Sequence, residues 1–64
     1  MRVNIGIDVG GTKIAAGAVD NNGEILALVR KPTPASSSDA VANTISECVK
    51  ELAGSYDVES IGIG

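Results

Sequence analysis

A carboxylate, two glycines, a hydroxyl and an ammonium follow closely in Asp8-Val9-Gly10-Gly11-Thr12-Lys13. Glycine permits φ > 0 and lets a ligand approach the backbone. Consecutive turn amides that point the same way form a small anion-binding concavity. The Thr12 hydroxyl and the Lys13 ammonium are natural partners for phosphate oxygens. Asp8, at the mouth of the loop, is placed to hold magnesium directly or through water. The run supports nucleotide chemistry.

The same residues also spell an ordinary hairpin, because Gly-Gly turns are common. Two details weigh against a turn alone. Asp8 is the only charge between Arg2 and Lys13, and it interrupts the apolar run Val3 to Val9. Ser, Asn or Asp beside the glycines would serve a plain turn better than Thr12 does. Two other glycine motifs fail on context. A P-loop needs Gly, four residues, Gly, Lys, then Ser or Thr. Gly6 and Gly11 have that spacing, but Thr12-Lys13 is inverted and Ile14 to Asp20 leads to a turn instead of opening a helix. The dinucleotide spacing Gly-x-Gly-x-x-Gly does not occur around this turn.

The elements that must position this run follow from periodicity. Residues 3 to 9 read as a strand, with Val3, Ile5, Ile7 and Val9 on one face and Asn4, Gly6 and Asp8 on the other. Lys13 to Asp20 is a second strand of small residues. Asn21-Asn22-Gly23 signals a hairpin. Glu24 to Lys31 returns as a third strand, with the adjacent Ile25 and Leu26 on opposite faces, and Pro32 and Pro34 end it because proline cannot donate to a ladder. Residues 33 to 38 form a short Pro and Ser linker.

Ser37 or Ser38 can then cap a helix of about 16 residues, or roughly 24 Å, with Asp39 favourable in its first turn. Val41, Ile45, Cys48, Val49 and Leu52 fall at helical spacing as one apolar stripe. Gly54 is expected to close the helix in a left-handed conformation. Residues 58 to 63 form a fourth strand, and one reached through a helix most often lies parallel to an earlier strand. Cys48, on the apolar stripe, reads as a packed thiol, and Arg30, Lys31 and Lys50 read as solvated charges. Gly62 and Gly64 alternate with Ile61 and Ile63, so one face of that strand lacks side chains. The alternation suits either close helix packing or clear space beside the phosphate cradle.

A net charge of -3 offers no basic patch for nucleic acid or an anionic membrane. No apolar run approaches the ~20 residues of a membrane span, and Asn4 and Asp8 interrupt what would be a signal-peptide core. One cysteine fits a reducing, cytoplasmic setting. Sixty-four residues bury only about 60% of the surface their unfolded chain exposes. With a single cysteine and no histidine, neither a disulfide nor a zinc site within the chain can compensate. The closing Glu59-Ser60-Ile61-Gly62-Ile63-Gly64 reads as a strand still in progress, so an N-terminal piece of a larger protein is expected.

The stretch Ile5-Gly6-Ile7-Asp8-Val9-Gly10-Gly11-Thr12-Lys13, with Asp20-Asn21-Asn22-Gly23-Glu24-Ile25 after a small-residue strand, resembles the start of an ROK-family sugar kinase. The nearest likeness is to the bacterial ATP-dependent glucokinase branch, and it runs from Val3 to Gly64. The resemblance implies an α/β fold, the N-terminal part of an actin/hexokinase-like (ribonuclease H-like) domain. Three antiparallel strands and one helix would precede a fourth strand parallel to the first. Residues 1–64 would form the start of the nucleotide-binding domain, with its phosphate-binding hairpin at residues 8–13.

The activity implied is ATP-dependent phosphorylation of glucose to glucose 6-phosphate. Gly10, Gly11, Thr12 and Lys13 would hold the β- and γ-phosphates, and Asp8 would orient hydrated magnesium. The catalytic base, the sugar-binding residues and the family's cysteine cluster for a structural zinc would lie later than this chain, so no catalytic base is assigned here. The partners implied are ATP and a sugar, in a homo-oligomeric full-length enzyme. A kinase for another hexose or an N-acetylated amino sugar fits the same motif. A sugar-responsive repressor of the family would carry a DNA-binding helical domain before the hairpin, whereas here the hairpin strand follows Met1 directly.

Overall fold

In the computed structural model, which describes residues 2–35 and 37–64, the chain forms β1 (Arg2–Val9), β2 (Lys13–Val19), β3 (Ile25–Pro32), α1 (Ser38–Ala53) and β4 (Asp57–Ile63). Met1, and Ser36 of the expected linker, lie outside the described residues. The strands form one sheet in the order β3-β2-β1-β4. β1 pairs antiparallel with β2, and β2 with β3, while β4 lies parallel to β1. The α/β architecture and the parallel fourth strand agree with the sequence reading.

Alternation in β1 and β2 sorts the sheet's two faces. Val3, Ile5 and Ile7 of β1 and Ile14, Ala16 and Ala18 of β2 are buried on one side. They pack against Cys48 and Leu52 of α1, with Val41, Ile45 and Val49 partly buried beside them. That is the apolar stripe seen in the sequence. Ser37 is the N-cap, its Oγ accepting from the Ala40 N–H at 3.2 Å, and Asp39 sits in the first turn where the helix dipole favours an acid.

Two irregularities tune the faces. In β3 the register slips opposite Ala18 and Val19, so that Ala27 pairs with Ala18 and Ile25 with Val19. The extra residue, Leu26, packs toward the helix-side core, while Ile25 stays 65% exposed on the opposite face. In β4 the slip leaves Glu59 unmatched between Val58 and Ser60. Val58 and Ile61, three positions apart, therefore share the helix side. Ser60 Oγ donates to Asn4 Oδ1 at 2.7 Å across the same pair.

Three local expectations are corrected. Gly54 is not left-handed: its φ and ψ are -68° and -22°, and the helix closes as Ser55 and Tyr56 N–H groups donate to the Leu52 carbonyl. With the Gly54 N–H donating to the Lys50 carbonyl, two of the terminal carbonyls are satisfied without a reversed residue. Pro32 does end β3, but as its last residue, opposite Lys13, and not as the first residue beyond it. A proline is tolerated there because β3 is an edge strand and the missing N–H deprives no neighbour. Lys31 is not simply solvated: its Nζ lies 3.1 Å from Glu51 Oε2 on α1. Lys31 pairs with Ile14, so it emerges on the face that the helix covers.

Candidate functional site

The second face of the sheet carries the candidate site. Gly17, Gly6 and Gly62 align across β2, β1 and β4 in one row, and Leu28 of β3 continues it. The three glycines floor a groove of about 470 Å³, whose lining also includes Leu28 and Ile25 at its margin, with Asp8, Ala15, Val19 and Gly64. No helix of the described residues packs here, since α1 meets β2 and β3 from the other side. Among the described residues, then, the space left at Gly62 and Gly64 is not used for helix packing. A Cβ built on Gly6 or Gly62 would meet nothing within 4 Å. The fold itself does not require glycine at either position, although glycine weakens a strand.

Asp8 stands two residues along β1 from Gly6, exposed, on the groove face. The turn from Val9 to Lys13 follows directly. Gly10 N–H donates to the Lys13 carbonyl at 2.9 Å and so closes the turn. It is therefore already engaged, and of the three amides expected to meet phosphate only two remain. The N–H groups of Gly11 and Thr12 have no hydrogen-bond acceptor among the described residues. Gly11, Thr12 and Lys13 are exposed. Unsatisfied amides on an exposed turn are what an anion needs.

The Gly-Gly turn does not use the positive φ that glycine permits. Among the described residues only Gly23 has a positive φ, at 82°. That residue belongs to the hairpin between β2 and β3, where Asp20 Oδ1 accepts from the N–H groups of Asn22 and Glu24. In the Gly-Gly turn the reason for glycine is space. A Cβ on Gly10 would lie 3.1 Å from the Lys13 carbonyl oxygen, whereas one on Gly11 would meet nothing within 4 Å. Gly10 is thus needed by the turn, and Gly11 keeps a position open outside it.

One contributor was not legible. Thr33, in the expected linker, reaches back to the turn: its Oγ1 donates to the Gly10 carbonyl at 2.8 Å and its N–H to the Thr12 carbonyl at 3.0 Å. The only sequence signal is its position between Pro32 and Pro34, which stiffens the backbone on either side. β4 braces the other flank. Gly64 N–H donates to the Ile7 carbonyl at 2.8 Å, and Val9 N–H to the Gly64 carbonyl at 3.3 Å. The strand ends around Asp8 are held from both sides.

The donor set fits a hydrated magnesium–phosphate ion and does not fit a bare metal. Among the described residues no three His, Cys, Asp or Glu side chains gather at one point. Asp8 alone supplies a hard oxygen, which suits a cation that keeps its waters and takes its other ligands from phosphate. Cys48 is fully buried on the helix side, and burial pushes its thiol above the usual range against the opposing pull of Lys31. It is a packing residue, as its place on the stripe indicated.

Comparison with known proteins supplies the family. The ROK family model matches residues 4–64. Glucokinase of Streptomyces coelicolor is 41% identical over the whole chain, which spans 20% of that protein. N-acetyl-D-glucosamine kinase of Citrobacter koseri is 40% identical over 92% of the chain and 20% of its own length. Among solved structures, an ROK family glucokinase from Streptomyces griseus in complex with glucose and AMPPNP superposes with a TM-score of 0.89. It is 42% identical over 97% of this chain and 20% of that one. The chain thus spans about one fifth of the length of the relatives it matches. With the α/β sheet, the Asp8-to-Lys13 turn and a family match over nearly every residue, the chain belongs to the ROK family.

Proposed function

We propose that this segment is the phosphate-binding start of an ATP-dependent sugar kinase, with glucose as the leading substrate. The observation that carries the reading is the turn after Asp8. Two amides without partners among the described residues and an exposed ammonium follow Asp8 in the chain, and Asp8 lines a groove floored by glycine. Phosphoryl transfer is mostly positioning and charge neutralisation. The amides of Gly11 and Thr12, with the Thr12 hydroxyl and Lys13, would take the β- and γ-phosphate oxygens. Asp8 would hold the water shell of the magnesium that accompanies ATP, and that ion would neutralise the charge developing between the phosphates. Neither the catalytic base nor the sugar-binding residues are assigned to this chain. Family membership and the glucose complex of the Streptomyces griseus relative support a sugar as acceptor.

A kinase for an N-acetylated amino sugar is the second reading. It is favoured by the 40% identity to N-acetyl-D-glucosamine kinase, almost equal to the 41% identity to glucokinase. Residues that contact ATP phosphates do not separate the two sugars. We place the enzyme in the cytoplasm as a homo-oligomer, on family resemblance and on the single buried free thiol.

The test is steady-state kinetics on the full-length polypeptide that carries this segment, with ATP, magnesium and either glucose or N-acetylglucosamine. Asp8→Ala is expected to lower kcat by about 10²-fold with little change in the KM for sugar, because its charge matters most in the transition state. Wild-type turnover in that variant would return Asp8 to an ordinary turn residue. Transfer to neither sugar by the wild-type protein would overturn both assignments.

A further inference from the structure

We infer that Thr33 is a positioning residue for nucleotide phosphate: its hydroxyl sets the peptide plane that aims the Gly11 N–H. The inference rests on the kinase reading and adds to it a residue outside the glycine motif.

Thr33 Oγ1 donates to the carbonyl of Gly10 at 2.8 Å, across 23 positions of sequence. That carbonyl and the Gly11 N–H belong to one peptide unit, which is planar. No described peptide bond is cis. In a trans unit the C=O and N–H point in opposite directions. Holding the Gly10 carbonyl toward Thr33 therefore turns the Gly11 N–H away from Thr33. This is one of the two turn amides that have no acceptor among the described residues.

Glycine on both sides of this peptide makes it the unit most free to rotate in the turn. Neither glycine has a φ that only glycine adopts, so the local conformation does not fix the plane by itself. The second bond, from Thr33 N–H to the Thr12 carbonyl at 3.0 Å, anchors the residue in place. Pro32 fixes the backbone before Thr33, and Pro34 confines Thr33 to extended conformations. The hydroxyl is thus delivered from a stiff strut.

The Thr33–Gly10 bond is exposed, so water can replace it at the carbonyl with little loss to the fold. What water cannot do is hold the plane in one orientation. Removing the hydroxyl should therefore cost preorganisation of the amide and leave stability nearly untouched.

The experiment compares Thr33→Val and Thr33→Ser in the full-length polypeptide. Valine keeps the shape and the backbone N–H but loses the hydroxyl, and serine restores the hydroxyl. Calorimetric titration with magnesium and a non-hydrolysable ATP analogue is run beside titration with glucose, and both variants are melted. Thr33→Val is expected to weaken the ATP analogue about three- to tenfold. Glucose affinity and the melting temperature should stay at wild-type values, and Thr33→Ser should recover most of the loss. Wild-type affinity for the analogue in Thr33→Val would overturn the inference. So would equal loss of both ligands with a lowered melt, which would mark Thr33 as merely structural. Absence of sugar phosphorylation by the wild-type protein would overturn the kinase reading alone, because the analogue titration still decides the role of Thr33.

Discussion

Lys31 of β3 and Glu51 of α1 form a 3.1 Å ion pair that ties the edge strand to the last turns of the helix. The hydrogen bond and charge of Glu51 hold the Lys31 ammonium above its ordinary value of 10.5, against the opposing effect of burial. A raised lysine value means that the folded state holds its proton more tightly than the unfolded chain. The resulting stabilisation is complete below about pH 10.5 and is lost as pH rises through the folded value above it. The pair is partly exposed, so its worth is small. In Glu51→Gln, an NMR titration of the Lys31 side chain should move down toward the ordinary lysine range. An unchanged titration would show that the pair does not persist in solution.

The two glycines of the turn should behave differently when substituted. Gly10→Ala places a Cβ 3.1 Å from the Lys13 carbonyl oxygen, backbone against backbone. A cost of about 1 kcal/mol is expected, read as a melting temperature lowered by a few degrees. Gly11→Ala puts its methyl in open space, and its φ is not positive. Its melt should hold or rise slightly, as the unfolded chain loses freedom. ATP-analogue binding should nevertheless fall, because the methyl takes room beside the free amide. Unchanged analogue affinity in Gly11→Ala would remove Gly11 from the site.

Residues 1–64 expressed alone should be marginally stable and without kinase activity. Ile25 and Leu28 are exposed on the groove face, and Ile61 and Ile63 lie 48% and 63% exposed on β4, beyond the reach of α1. Apolar burial and chain entropy nearly cancel in chains this short, and an open apolar edge promotes association. A thermal melt, a sedimentation measurement and an assay for glucose 6-phosphate check this together. A cooperative melt from a monomer would refute the stability claim, and sugar phosphate formed by the segment alone would refute the inactivity.

Much of the fold was legible because the relevant signals are local. Strict alternation from Val3 to Val9 predicts a half-buried strand; Val3, Ile5 and Ile7 are buried, while Val9, at the strand's end, is exposed. The Asn21-Asn22-Gly23 signal predicts the hairpin, and Gly23 takes the positive φ such a turn calls for. The stripe from Val41 to Leu52 predicts the buried side of α1.

What sequence spacing missed depends on partners far along the chain. Thr33 meets Gly10 only because β3 returns beside β2 in the register that sets Pro32 opposite Lys13. Lys31 meets Glu51 only because α1 crosses back over β3. The left-handed conformation expected at Gly54 does not follow from its residue type, since glycine permits such a backbone without requiring one.

The row Gly17, Gly6 and Gly62 has a consequence for how this face can vary. A surface made of backbone has nothing left to truncate. Any substitution at Gly6 or Gly62 adds atoms to open space, so change there can only obstruct. Ile25 and Leu28, at the groove's margin, carry volume that can be trimmed or enlarged. Divergence of this groove must therefore proceed from its margin inward, and its floor is already at the smallest state that a peptide chain allows.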